Sequence, residues 1–256
     1  MLAEKHSGVQ VIVNDENLYM IPAMNMGLRM AQGEYLMLLD DDNVIDPGMI
    51  TALIRVLECD PNVGIVGPKM YYQDQPGILW YAGVTVSRVT SWTRYRGLGE
   101  KDVGQYEKPG ETDHVPNCSV MRRAAHEAAG ALDDVYRGTY AEADYAMRIR
   151  RKGFEVVYCP TAITYHDVPP RGKGSPFRTP ARAYLLARNR VIYMKRYAGL
   201  FSFLAFMLVF YPLFNLYYLA KGLQVRDSAG TKAYARGIRD GISYALFQSL
   251  RDIPTS

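Results

Sequence analysis

Three consecutive carboxylates, Asp40-Asp41-Asp42, follow the unbroken apolar run Tyr35-Leu36-Met37-Leu38-Leu39. Such a run reads as a buried, central strand, which puts the carboxylates at the carboxyl edge of a sheet, where open α/β folds bind ligands. Three like charges there repel one another. A hard divalent cation offsets the repulsion, and an ion such as Mg²⁺ takes one or two protein carboxylates and completes its shell with water and substrate phosphates. The cluster therefore points to a diphosphate-bearing substrate; the plainer alternative is a solvated acidic turn before a helix. Two more carboxylates, Glu142 and Asp144, stand two residues apart in Ala-Glu-Ala-Asp-Tyr-Ala-Met-Arg, and His166 ends an apolar stretch. Residues two apart on a helix do not share a face. Arg171, Lys173 and Arg178 lie in a segment rich in proline and glycine, where their charges could close over a phosphate or touch lipid head groups.

The elements that must position these residues alternate between strand and helix. Val9 to Val13 reads as a strand, Ile21 to Met30 as a helix, and Tyr35 to Leu39 as the next strand. Asp46-Pro47 reads as an N-cap with proline at the first helical position, followed by Met49, Leu53, Val56 and Leu57 at helical spacing. Val63 to Gly67 is a further short strand, whereas 71–111 has weak periodicity. Asp144 to Lys152 reads as a helix closed by Gly153, with Asp144 as its capping residue; Phe154 to Tyr158 and Ala162 to Tyr165 follow as two strands separated by Pro160. His166 is thus expected at a strand end, and 166–180 as a mobile loop. The fold class is α/β.

From Leu200 to Ala220 the chain carries no charge. About 20 such residues cross a bilayer as a helix, and the flanking Lys195, Arg196 and Lys221, with tyrosines, look like interfacial anchors. The alternative is a buried core helix. Because both flanks are basic, charge does not choose between a span and an in-plane segment. The domain division read from this is 1–197 followed by a membrane-associated segment and tail, 198–256. A net charge of +4 is too mild to imply nucleic acid. From Arg171 to Arg196, however, every charged residue is basic, which suits an anionic partner. Cys59, Cys118 and Cys159 form no CxxC pair, so free thiols and a reducing compartment are expected. With no signal-peptide pattern at the front, the α/β domain is expected on the cytoplasmic side of the membrane.

Asn17, Asn25-Met26-Gly27, Ala31, Gly33-Glu34-Tyr35 and Leu38-Leu39-Asp40-Asp41-Asp42 have the order and spacing of the nucleotide-binding segment of family-2 glycosyltransferases, including its DxD motif. Ala141 to His166 is similar to that family's helix start and terminal histidine. The resemblance implies a GT-A fold, a nucleotide-sugar donor, a glycan or lipid-linked acceptor, a divalent metal (Mg²⁺ or Mn²⁺) and transfer with inversion. It implies donor contacts for Asn25, Gly27, Asp40 and Asp41, with Arg171, Lys173 and Arg178 beside the diphosphate. Asp42 and His166 would be metal ligands, and Glu142 the catalytic base with Asp144 as the alternative. Val115 to Arg123 resembles the loop and strand that line the acceptor cleft, with Asn117 at a common glycine position. Arg188-Asn189 matches a pair found in the rhamnosyltransferase-like branch; a basic helix face near the bilayer is the other reading.

Only 39 residues precede Asp40, and one βαβ unit needs about 30 or more. The family's front βαβ unit is therefore expected to be missing, and donor binding by this chain alone to be weak. The rival reading is a non-catalytic remnant or regulatory subunit. A metal-dependent nucleotidyltransferase is a further rival, but it would usually carry a glycine-rich basic loop near the start.

Overall fold

The computed structural model of the chain describes residues 8–168 and 175–248. Its elements, in chain order, are α1 (Met20–Met30), β1 (Tyr35–Leu39), β2 (Asn43–Ile45), α2 (Met49–Cys59), β3 (Val63–Tyr72), β4 (Leu79–Tyr81), β5 (Val84–Val86), β6 (Thr93–Tyr95), β7 (Gly110–Glu111), β8 (Cys118–Arg122), α3 (Arg123–Ala129), α4 (Ala141–Arg151) and β9 (Glu155–His166). Then come α5 (Pro180–Tyr197), α6 (Leu200–Ala205), a π-helical turn (Phe206–Phe210), α7 (Tyr211–Gln224) and α8 (Ser228–Phe247).

Five strands form the backbone of a mixed sheet in the order β1-β8-β3-β9-β2, with β4 attached to β3 and β7 to β9. Among the described residues only β3 and β9 run parallel; the other pairings are antiparallel. Successive residues of a strand face opposite sides of its sheet. Ile65, Met121 and Val156 accordingly point into a core with α1, α3 and α4, while Val66, Val120 and Val157 point into a second core with Met49, Leu53 and Leu57 of α2. This is the α/β sheet between helices that the sequence implied.

The helix α2 begins at Met49 after Gly48 rather than at Pro47 after an Asp46 cap, and Asp46 Oδ1 instead accepts from the Gly48 N–H at 3.1 Å. Three strand expectations also change. Val9 to Val13 forms no strand: Val11 is 53% and Val13 85% exposed. Strand propensity needs a pairing edge and a buried face to be realised, and this segment has neither. The strand β1 stands at the sheet edge rather than its centre; its apolar run reflects helices packed on the faces, since Leu36 meets one core and Tyr35 and Met37 the other. Pro160 does not separate two strands. β9 runs through it, and the register against β3 jumps from Pro68↔Cys159 to Lys69↔Ile163, so a bulge absorbs the missing donor, as proline in a sheet requires.

The C-terminal helices pack on this domain. Phe206 and Tyr211 are buried in the same core as α1 and α4, and α5 with α8 encloses Phe177, Tyr184 and Tyr234.

Candidate active site

Strand register brings the site together. The end of β1 pairs with the start of β8, Leu39 opposite Cys118, so the Asp40 N–H reaches the Asn117 carbonyl at 2.9 Å. Across the sheet, β2 pairs with the end of β9, Asn43 opposite His166, and the Asp167 N–H donates to the Asp42 carbonyl at 2.8 Å. Asp42 and His166, 124 residues apart in sequence, thereby come within 3.1 Å, Oδ2 to Nε2.

His166 is buried, with Trp80 edge-on at 4.6 Å between ring centroids. Burial pushes the imidazole below its ordinary range, Asp42 opposes this, and the nearby Arg178 guanidinium adds to the depression. The neutral ring is the metal-binding form. Its Nε2 lies 2.9 Å from the Asn117 amide nitrogen, a donor, as well as 3.1 Å from the Asp42 carboxylate, an acceptor. One ring nitrogen cannot serve both at once. If it accepts from Asn117, its lone pair faces a carboxylate, and a cation between His166 and Asp42 would resolve the conflict. Two ligands about 2.1 Å from an octahedral ion lie roughly 3 Å apart, so these residues fit a divalent metal. Among the described residues, no three His, Cys, Asp or Glu side chains converge on one point. The protein would supply two ligands and leave the others to water and phosphate.

Asp40 is partly buried, and its pKa rises from 3.8 to about 6 through desolvation and the repulsion of Asp42 and Asp41. Asp41 is exposed. Glu142, in the first turn of α4, is raised from 4.5 to about 7, chiefly by desolvation and further by the charge of Asp40. The two carboxylates therefore sense each other across the site. The alternative base, Asp144, is elsewhere: fully buried, it accepts from Arg148 Nε at 2.9 Å, Arg196 Nη1 at 3.0 Å and the Tyr197 hydroxyl at 2.8 Å. Nor does it cap the helix. It is an internal counter-ion, and its expected part as an alternative base is withdrawn.

Asn25 also takes a different place from the one expected. It is buried, with Nδ2 donating to the Leu132 carbonyl and to Asp134, both at 2.8 Å, and Oδ1 accepting from the Leu132 N–H at 2.9 Å. These bonds occupy the amide, leaving it to hold the loop before α4 rather than a donor. Gly27 is on the exposed face of α1, and a Cβ there would meet nothing within 4 Å, so no close approach explains it. Arg171 and Lys173 lie outside the described residues. Arg178 is exposed, in the left-handed region at φ 64°, and its charge acts on His166.

Sequence reasoning gave Asn117 only a place in the cleft wall. Its φ is 65°, a conformation that asparagine tolerates better than most residues, and this is why it can stand at a glycine position. Its carbonyl holds Asp40 and its amide touches His166. Arg188 and Asn189 are buried rather than lipid-facing. The Asn189 amide donates to the carbonyls of Tyr136 and Thr139 at 2.8 Å each, and Arg188 donates to the Val135 carbonyl. Arg190 Nε lies 3.3 Å from the Tyr140 hydroxyl, which itself donates to the Ser91 carbonyl at 2.9 Å. Together they fix the loop that delivers Glu142.

The glycosyl transferase family 2 model matches residues 1–130 of the chain. The chain is 28% identical over 190 residues to the uncharacterized protein y4gI of Sinorhizobium fredii, covering 67% of this chain and 19% of that protein. It therefore spans about a fifth of the curated relative it matches. Among solved structures, the mannosyltransferase PcManGT from Pyrobaculum calidifontis, in complex with GDP-Man and Mn²⁺, is similar at a TM-score of 0.52 and 17% identity, over 96% of this chain and 66% of that one. GalNAc-T7 with UDP, GalNAc and Mn²⁺ is similar at a TM-score of 0.52 and 13% identity, over 73% of this chain and 38% of that one. These likenesses establish the GT-A fold.

Proposed function

The chain belongs to glycosyl transferase family 2, and from that premise we propose that it transfers a sugar from a nucleoside diphosphate donor to a glycan or lipid-linked acceptor, with inversion. The observation that carries this reading is the meeting of Asp42 and His166 at 3.1 Å; it is joined by a carboxylate, Glu142, which feels the charge of Asp40 and whose pKa of about 7 suits a base at neutral pH. The nucleotide and Mn²⁺ bound by the two structural neighbours support the same donor class.

Asp42 and His166 would hold the divalent ion, which would act as a Lewis acid on the leaving diphosphate. Glu142 accepts the proton of the acceptor hydroxyl as that oxygen attacks the anomeric carbon and the bond to the diphosphate breaks. Arg178 offsets charge that develops on the departing phosphate. Trp80 and Asn117 hold the His166 ring, and Asp40 keeps a negative charge beside the base.

A donor screen with Mg²⁺ and Mn²⁺ on the protein in membranes tests the proposal. Wild type is expected to turn over one nucleotide sugar, with Asp42→Ala reducing turnover by at least 100-fold and Mn²⁺ affinity with it. If Asp42→Ala retained turnover, the metal assignment would be wrong. If no donor were consumed and no Mn²⁺ bound, the non-catalytic reading would replace this one.

A further inference from the structure

The uncharged segment is long enough to cross a bilayer: Leu200–Gln224 has 25 residues, and at 1.5 Å each a helix of that length measures about 37 Å. Its packing argues against crossing. Phe206 and Tyr211 are buried in the core of the α/β domain. The Arg190 guanidinium lies 4.1 Å from the ring centre of Phe214, Asn215 accepts from the Tyr234 hydroxyl at 3.1 Å, and Tyr218 lies 5.3 Å from Tyr234. At Gly222 even a Cβ would come within 2.4 Å of Thr231. The domain thus accompanies the segment along most of its length. Crossing would pull the buried Arg188, Arg190 and Asp240 toward hydrocarbon, where each charge is costly.

The other face is uncovered. Phe201 is 87% exposed, Leu208 76%, Leu213 58% and Leu216 68%. With Leu204 and Tyr217 they form one apolar stripe: the steps are three or four residues except for the five from Leu208 to Leu213, which starts in the wider π-helical turn, and Leu216 and Tyr217 both follow Leu213 by one turn. Pro212 follows the π-helical turn, which accommodates its ring and missing N–H, so the stripe continues without a break. Beside its middle, Trp92 stacks on Phe214 at 5.7 Å while remaining 55% exposed. Indole rings with one apolar and one wet side favour the level of lipid head groups.

Charge identifies the occupant. From Pro180 to Gln248 there are ten Lys/Arg residues and two acids, Asp227 and Asp240; both acids are engaged internally, and with Arg188 and Arg190 buried and Arg196 and Arg239 paired to carboxylates, six Lys/Arg residues remain to set the outer charge. Lys232, Arg236 and Arg239 line one groove of about 650 Å³ with Pro180.

We propose that Leu200–Gln224 and Trp92 form a membrane-docking face that lies in the plane of an anionic bilayer without crossing it, immersed to the depth of the head-group and acyl boundary. This does not depend on the reaction proposed above, and its test does not measure sugar transfer. Wild type is floated with phosphatidylcholine vesicles containing or lacking phosphatidylglycerol, and its tryptophan fluorescence is quenched by lipids brominated near the head group or near the acyl terminus. Binding to the anionic vesicles and stronger quenching by the shallow bromines are expected, with the latter signal lost in Trp92→Phe. Because Trp92 sits beside the middle of the segment, a spanning helix would instead bring it near the midplane. Stronger quenching by the deep bromines would therefore overturn the proposal. Leu208→Glu with Leu216→Glu changes exposed positions only; at unchanged circular dichroism it should lower vesicle binding at least 10-fold. Undiminished binding by that variant, or no vesicle binding by wild type because the face is covered in a stable dimer, would overturn it as well.

Discussion

Glu142 and Asp40 are two acids whose pKa values are raised, to about 7 and about 6, and this has two measurable effects. As a base, Glu142 works only when deprotonated, so kcat/KM should rise with pH through an acidic limb near 7. Glu142→Gln should remove at least 100-fold of kcat while leaving donor affinity within a few-fold. The second effect is on stability. Both groups bind a proton more tightly folded than unfolded, so stability of the metal-free protein should fall as pH rises from about 4 to 7. A cation at the site replaces the lost protons. The thermal midpoint in EDTA should therefore decrease more over this window for wild type than for Asp40→Asn, and added Mn²⁺ should raise it most above pH 7. Equal slopes for the two proteins would show that the acidic cluster does not control it.

At the scale of elements, the helix α4 carries Glu142, but its approach is set from α5. The Asn189 amide closes two loop carbonyls, and removing one partner of a buried hydrogen bond costs about 1–3 kcal/mol. Asn189→Ala should lose stability of that order, with a larger fall in kcat than in donor affinity, read by calorimetry and steady-state kinetics. The Arg188-Asn189-Arg190 run was visible in the sequence, but its role was not: two arginines around an asparagine before an apolar segment look like a lipid-facing stripe, and only the fold reveals that they point inward. The same limit applies to β1, whose apolar residues gave its existence but not its place at the edge, because burial by helices and burial by strands leave the same pattern. Asp40, Asp42, Glu142 and His166 were legible because each stands at or next to the end of an element. Asn117 and Trp80 were not: nothing local connects Trp80 to a strand end 86 residues later, and a left-handed asparagine is visible only as a missing glycine.

At the scale of the whole molecule, the helix α4, which carries Glu142, is also tied to the C-terminal helices through a buried charge. Asp144 neutralises Arg148 of its own helix and Arg196 near the end of α5. Without it Arg148 loses this pairing while Arg196 keeps Asp133 at 2.7 Å, so the cost falls at or below the ~3–5 kcal/mol of breaking a fully buried pair. Asp144→Ala should unfold at markedly lower denaturant than wild type, as a single transition, because the charge joins the α/β sheet to the helices that follow it. Two separated transitions would mean that the C-terminal helices are an independent unit.

Arg190 joins these parts at a single side chain. One guanidinium covers Phe214, the ring on which Trp92 stacks, and touches Tyr140, two residues ahead of Glu142. Surfactants that intrude between Phe214 and its neighbours during extraction would therefore loosen the loop that leads into Glu142, the residue proposed as base. Preparations inactivated this way should still hold nucleotide and manganese, and should recover turnover on return to lipid.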